Sequence, residues 1–417
     1  MTLTIPDEYV DWRTKGLWLP GSRLPADEFA AAGYSLFTGP FSWPLMVLKR
    51  DAVAHNVATM AEYTRRHGLA FAPHGKTSMA PRLFDMQLDA GAWGITLATA
   101  NQVLAARGFG VPRIFLANEL LDPLALRWIL AERERDPEFG FLCYVDSVAG
   151  VEAIRAALGE VTGDRPMEVV VELGHAHGRT GVRTVPEVVD IAKAAHAVPR
   201  LSVAGVSGYE GGLSTVEEAR AYLGTLRDAA GAIVAAGAVR EDGPVVVSAG
   251  GSAYFDAVTE VLTGRWLPGR EVQVLLRSGA YVTHDDGFYR TKTPFNRVAT
   301  EGELRPALEI WAQVTSTPEP GLALVAMGKR DAPFDEGLPV PRTVRRLDGE
   351  AVAAQGIRVA KMNDQHAYLD TAGGPELIPG DLVAFGISHP CTAFDKWRVL
   401  PMVDPEYRVV DLIHTYF

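Results

Sequence analysis

From about residue 44 the chain repeats one unit: a short apolar, β-branched run, a turn, and an amphipathic stretch rich in Ala, Glu, Arg and Leu. The runs fall at 44–50, 70–76, 94–100, 113–118, 139–146, 167–174, 203–210 and 244–252, with helix-like stretches such as 185–197 and 214–236 between them. Parallel strands need a crossover, usually a helix, and strands buried on both faces read as continuous apolar runs. Eight such units in about 210 residues fit a closed (β/α)8 barrel better than an open doubly wound sheet. Beyond about residue 262 the texture changes. Runs at 271–276, 307–315, 323–327, 381–387 and 408–414 sit between Gly, Pro and Asp signals, which predicts a smaller β-rich domain. The expected organisation is therefore α/β: a barrel over 40–262, and a β-rich domain made of 263–417 with 1–39 packed onto it.

Composition narrows the function classes. The 40 Lys and Arg against 51 Asp and Glu give a net charge of −11, which argues against a sequence-independent grip on nucleic acid. A local basic pocket for a small anion remains open. The longest mostly apolar stretch, 229–239, is far short of the roughly 20 residues that span a bilayer. The first residues are too acidic and polar for a signal peptide, and two cysteines, Cys143 and Cys391, are too few for a disulfide scaffold. The expectation is a cytoplasmic enzyme of small-molecule substrates.

The active site of such a barrel lies at the carboxyl ends of its strands. The second run closes in Ala72-Pro73-His74-Gly75-Lys76-Thr77. A lysine ending a buried strand has its amine pKa lowered and becomes a nucleophile, unless it simply emerges into solvent. The eighth run closes in Ser248-Ala249-Gly250-Gly251-Ser252, small residues that let backbone amides approach an anion, or that merely turn the chain. A Schiff-base lysine and a phosphate seat together point to pyridoxal phosphate (PLP). Arg179, after the sixth run, could pair with the phenolate of its ring, and Tyr209, after the seventh, could line it. The nearby His175-Ala176-His177 pair reads as loop histidines or as metal donors. Far along the chain, Ser388-His389-Pro390-Cys391-Thr392 aims an imidazole and a thiol from one extended loop, a donor pair suited to zinc or a buried Cys beside a loop His. The turn-rich 328–331 and 335–339 either shape that pocket or form a surface hairpin.

The ordered set Pro73-His74-Gly75-Lys76-Thr77, Gly205-Val206-Ser207-Gly208-Tyr209-Glu210-Gly211, Ser248-Ala249-Gly250-Gly251-Ser252, Arg277-Ser278-Gly279-Ala280-Tyr281-Val282 and His389-Pro390-Cys391 resembles the D-serine dehydratase/D-threonine aldolase family. These are fold-type III PLP enzymes with an alanine-racemase-like barrel. Around Gly328-Lys329-Arg330-Asp331 the likeness is to the bacterial amino acid deaminases. The resemblance implies that Lys76 holds PLP, that Gly250, Gly251 and Ser252 bind its phosphate with Tyr281 reaching it, and that Arg179 and Tyr209 contact the ring. It implies that His389 and Cys391 ligate a divalent metal, zinc by preference, and that the protein is a homodimer. Two departures flank the lysine: many members carry Arg where this chain has Ala72, and His-Lys where it has Ser78-Met79. The substrate therefore need not be D-serine.

The implied activity is dehydration of a β-hydroxy D-amino acid to a 2-oxo acid and ammonia, with Lys76 moving the Cα proton and the metal acting on the β-hydroxyl. The alternative is D-threonine aldolase-type cleavage to glycine and an aldehyde. The family's aldolases tend to carry Asp where this chain has Cys391, which leans toward dehydration. Racemisation needs a second base that cannot be assigned, and a non-catalytic PLP-binding protein does not explain the β-rich domain with its His389 and Cys391.

Overall fold

The computed structural model describes residues 3–21, 23–159 and 163–417. The chain divides into two units, one built mainly from Ala61–Lys76 and Gln87–Gly279, the other from Ile5–Met60, Thr77–Met86 and Ala280–Phe417.

The first three strands lie in the second unit. β1 (Tyr9–Asp11) pairs antiparallel with β2 (Arg23–Pro25), and β3 (Leu45–Lys49) is the run expected to open the barrel. It does not enter it. The barrel is formed by β4 (Ala70–Phe71), β5 (Ile95–Leu97), β6 (Arg113–Glu119), β7 (Gly140–Val145), β8 (Met167–Leu173), β9 (Leu201–Gly208), β10 (Val245–Ala249) and β11 (Val272–Leu276). All eight are parallel, in the order β4-β11-β10-β9-β8-β7-β6-β5. The two ends of that order meet. Thr96 N–H donates to Pro73 O at 2.9 Å and Trp93 N–H to Phe71 O at 2.6 Å, so the sheet closes on itself.

The expected boundaries of 40–262 and 263–417 thus shift at both ends. The run at 271–276, expected in the β-rich domain, is the eighth barrel strand, in register with β10 through Val245↔Val272 to Ala249↔Leu276. Lys76 therefore follows the first barrel strand rather than the second, and Gly250 the seventh rather than the eighth. The reason is physical: Leu45, Met46, Val47 and Leu48 are all fully buried, so β3 carries the same continuous apolar signal as a barrel strand.

Side chains fill the barrel. Ala72, Phe115, Leu142, Tyr144, Val170, Ala204, Val246 and Leu275 form one buried cluster, a packed core rather than a pore. Helices Ala100–Gly108, Pro123–Arg135, Val148–Leu158, Val185–His196 and Val216–Ala235 return the chain between strands. Each starts at a residue whose side-chain oxygen accepts an orphan first-turn amide: Thr99, Asp122, Ser147, Thr184 and Thr215. At Thr215 the Glu218 side chain bonds back to complete a capping box.

In the second unit β12 (Leu308–Glu319), β13 (Leu322–Val325), β14 (Val340–Arg345), β15 (Ala351–Ala353), β16 (Arg358–Met362), β17 (Ala367–Asp370) and β18 (Leu382–Gly386) run in the order β15-β14-β18-β12-β13-β17-β16. β3 pairs antiparallel with β12 and parallel with β19 (Val399–Val403), which pairs with β20 (Val409–His414). Among the described residues no helix is long and apolar enough to cross a membrane.

Candidate active site

At the carboxyl end of β4 the chain turns through a 3-10 helix, Gly75–Thr77, that carries Lys76 half-buried. His74, just before it, forms a parallel bridge with Thr96 at the seam that closes the barrel, and its Nδ1 is buried without a hydrogen-bond partner. Burial, then the positive charges of Lys76, Arg277 and Arg179, hold the His74 imidazole well below its ordinary pKa. His74 therefore stays neutral under the influence of three cations.

Arg277 is the buried one of the three, 5% exposed at the end of β11. Its guanidinium lies 5.4 Å from the Phe115 ring centroid and 5.9 Å from that of Tyr144, directly on the aromatic part of the core. It donates to Ser207 Oγ at 2.9 Å, to Ser248 Oγ, and to Gly208 O at 2.8 Å. Ser207 Oγ in turn donates to Tyr144 OH at 3.1 Å. The apolar core is thus topped by a polar layer of Tyr144, Ser207, Ser248 and Arg277. Motif reading assigns Arg277 no role although it stands inside a motif that carries the resemblance; a basic residue closing a β-run was the available signal.

Two expected ring contacts come together. The Arg179 guanidinium is 5.5 Å from the Tyr209 ring centroid, a cation–π arrangement, and Tyr209 N–H donates to Tyr222 OH at 3.1 Å. The expected phosphate cradle has another partner. Gly250 N–H donates to Glu210 Oε2 at 3.0 Å and Gly251 N–H to Glu210 Oε1 at 2.6 Å, from a carboxylate with no exposed surface. A carboxylate on two adjacent amides shows that this turn accepts an anion, but it is one the chain supplies itself. Gly250 must be glycine: φ is +103°, and a Cβ there would lie 2.1 Å from Leu276 Cδ1. Ser252 lies half-buried beside it. Tyr281 belongs to the second unit, buried on the turn Ala280–Val282.

On β6, β7 and β8 the strand ends bring Glu119, Asp146 and Glu172 together, their nearest oxygens all within 4.8 Å of one another. Asp146 Oδ2 accepts from Gly181 N–H at 3.2 Å. Burial, then repulsion by Glu172, pushes the Glu119 carboxyl up to about 8, so Glu119 favours its protonated form. None of the three is singled out by motif; each is an isolated acid at the end of an apolar run. Cys143, buried in β7, has its thiol pushed up to about 12 by burial and is an ordinary strand residue. His177 is exposed, His175 Nδ1 approaches Ala176 O at 3.0 Å, and neither joins a cluster of three donors among the described residues.

In the second unit, Pro390–Thr392 forms a 3-10 turn with His389 extended before it. His389 Nδ1 donates to Asp335 Oδ2 at 2.8 Å, Thr392 Oγ1 to Asp335 Oδ1 at 2.9 Å, and Ser388 Oγ to Glu336 O at 2.6 Å. The His389 ring lies 5.7 Å from that of Phe288 and 5.9 Å from that of Tyr289. Burial works against its charge, but Cys391 and Asp335 outweigh burial and raise its pKa to about 9. The Thr77 hydroxyl, one residue after Lys76 in the chain, is 3.7 Å from Cys391 Sγ. Asp331 is buried and tied to Lys15 Nζ at 2.8 Å and Gly328 N–H at 2.8 Å, so the turn at 328–331 is a structural anchor.

These residues fit the two groups the resemblance calls for. A half-buried lysine, the Arg277 and Arg179 charges felt at His74, and an unpartnered imidazole nitrogen suit an anionic aldehyde cofactor. An imidazole and a thiol in one loop are borderline-soft donors of the kind zinc prefers.

An eight-stranded parallel barrel carrying a lysine at its carboxyl-end mouth, beside a β-rich unit, is the alanine-racemase-like fold. The profile of the alanine racemase N-terminal domain matches residues 48–263. The chain belongs to that family. A second profile, that of a putative serine dehydratase domain, matches residues 307–403. The chain is 26% identical over 354 residues to a 3-hydroxy-D-aspartate aldolase of Paracoccus denitrificans (strain Pd 1222), covering 81% of this chain and 84% of that one. It is 32% identical over 237 residues to a D-threo-3-hydroxyaspartate dehydratase of Delftia sp. (strain HT23), covering 53% and 60%. A solved structure of a Cys-to-Ala mutant of a D-threo-3-hydroxyaspartate dehydratase, in the metal-free form, covers 92% of this chain and 99% of its own with a TM-score of 0.71 at 24% identity.

Proposed function

We propose that the protein is a PLP- and divalent-metal-dependent lyase that dehydrates a β-hydroxy D-amino acid to a 2-oxo acid and ammonia. The observation that carries this reading is the His389 and Cys391 donor pair, braced by Asp335 and by the hydroxyl of the residue that follows Lys76. When bound, PLP supplies an electron sink for the Cα electrons and the metal a Lewis acid for the β-hydroxyl, a poor leaving group unaided. Lys76 Nζ would hold the cofactor aldehyde, and as a free amine it would take the Cα proton. His74 stays neutral and leaves that proton with the lysine. Arg277, held by three acceptors, presents a fixed positive charge that cannot rotate away. Arg179 and Tyr209 flank the mouth, where cation and ring favour a flat anionic ligand. Overall, the C–O bond at Cβ breaks and the C–N bond is hydrolysed, so one water leaves and one is consumed.

Similarity to the Delftia dehydratase supports dehydration. Similarity to the Paracoccus aldolase over most of both chains supports a second reading, retro-aldol cleavage to glycine and an aldehyde at the same residues. The deciding experiment is a panel of β-hydroxy amino acids of both Cα configurations, scoring ammonia, glycine and aldehyde together. We expect ammonia from D-configured substrates, lost on chelation and restored by added metal. Glycine as the main product makes the protein an aldolase, and undiminished turnover after complete metal removal takes the metal out of the reaction. A homodimer is carried forward on the family resemblance and a cytoplasmic setting on composition, and sedimentation of the purified protein in an analytical ultracentrifuge tests the first.

A further inference from the structure

The two proposed metal ligands sit in a short loop, and a loop alone does not orient an imidazole. What holds this one is a second segment more than fifty residues earlier. Ser388, His389 and Thr392 each send one hydrogen bond to residues 335–336, at 2.6, 2.8 and 2.9 Å, so the bracket straddles both ligands. Its centre is the Asp335 carboxylate: one oxygen accepts from His389 Nδ1, the other from Thr392 Oγ1. The Thr392 bond matters because it stops the carboxylate from turning with the ring. Asp335 is not itself placed as a ligand, since its oxygens do not converge with the His389 and Cys391 donor atoms in any group of three within 4.8 Å among the described residues.

We propose that Asp335 is the positioning residue of the metal centre: it accepts the hydrogen bond of the His389 Nδ1–H, fixes that tautomer and ring orientation, and so presents the Nε2 lone pair to a divalent cation shared with Cys391. This rests on the reading that His389 and Cys391 hold the metal. The role is that of the carboxylate in carboxylate–histidine–metal arrangements, where removing the partner typically lowers metal affinity by roughly 10–100-fold. The opposite-charge pair would, as a mere surface contact, contribute little to stability and nothing to metal affinity.

The test uses PLP-loaded enzyme stripped of metal by chelator and titrated with Co2+, following the thiolate-to-cobalt absorption band. The visible absorbance of the lysine-bound cofactor and the melting temperature serve as controls for folding. For Asp335→Ala we expect the same band at saturation but a midpoint shifted to roughly 10–100-fold higher cobalt. Asp335→Asn, which keeps an acceptor but not the charge, should fall between it and the unmodified enzyme. An unchanged midpoint in both variants overturns the positioning role. Loss of the band at saturating cobalt in a folded Asp335→Ala also overturns it, because the carboxylate is then a ligand. If the unmodified enzyme shows no thiolate band, the metal site itself falls.

Discussion

At the scale of single residues, the mouth of the barrel separates charge by strand. Lys76, Arg277 and Arg179 all lower the pKa of His74, while Glu119, Asp146 and Glu172 meet at the ends of β6, β7 and β8. A net charge of −11 is compatible with a local positive seat, so the proposed anionic cofactor does not require a net positive protein. Lys76→Ala should abolish the visible absorbance of the bound cofactor and all turnover, while the melting temperature of the metal- and cofactor-free protein stays within about 2 °C, because a half-buried strand-end lysine packs little core. A retained band in that variant would move the Schiff base to another lysine. Lys76, His389 and Cys391 are candidates the sequence offers, because each stands in a short motif whose proposed chemistry needs that residue type. Arg277, His74 and Asp335 are not. Their roles come from partners distant in the chain: Ser207 and Ser248 for Arg277, Thr96 for His74, and His389 for Asp335.

At the scale of elements, the helix starts were readable, because capping is local chemistry. Thr215 and Glu218 form a capping box at the head of Val216–Ala235, whose Tyr222 hydroxyl accepts from Tyr209 N–H and donates to Leu173 O. That helix therefore links a cap to the carboxyl ends of β8 and β9. Thr215→Ala should cost about 1 kcal/mol, seen as a melting temperature lower by roughly 2–4 °C with catalytic constants nearly unchanged. A loss well above 2 kcal/mol would mean that the cap does more than satisfy its amides. Strand placement was less readable. β3 and the barrel strands are both apolar on two faces, and only pairing distinguishes them: Leu48 opposite Leu308 and Met402, against Val245 opposite Val272. The Gly- and Pro-bearing stretch before β11 looks like a domain boundary, yet it is a loop that delivers the closing strand.

At the scale of the molecule, the raised pKa of Glu119 makes stability depend on pH. The Glu119 carboxyl, raised from 4.5 to about 8 by burial and by Glu172, favours its protonated form in the native state. Its contribution is therefore fully present below pH 4.5 and is lost as pH rises through about 8. The melting temperature should fall as pH is raised from about 6 to about 9, and Glu119→Gln should flatten that slope because the amide cannot ionise. An identical slope in the variant would place the titrating group elsewhere.

The sequence by itself determined the class of fold, since period and strand character are local and repeat along the chain. It also nominated Lys76, His389 and Cys391 as the residues of the proposed chemistry, since those sit in contiguous motifs. Only the tertiary structure decided which apolar run closes the barrel, that Glu210 occupies the amides of Gly250 and Gly251, and that Asp335 braces His389. Each of these is a pairing between segments tens to hundreds of residues apart. Burial makes such segments look alike in sequence, and only hydrogen-bond geometry tells them apart.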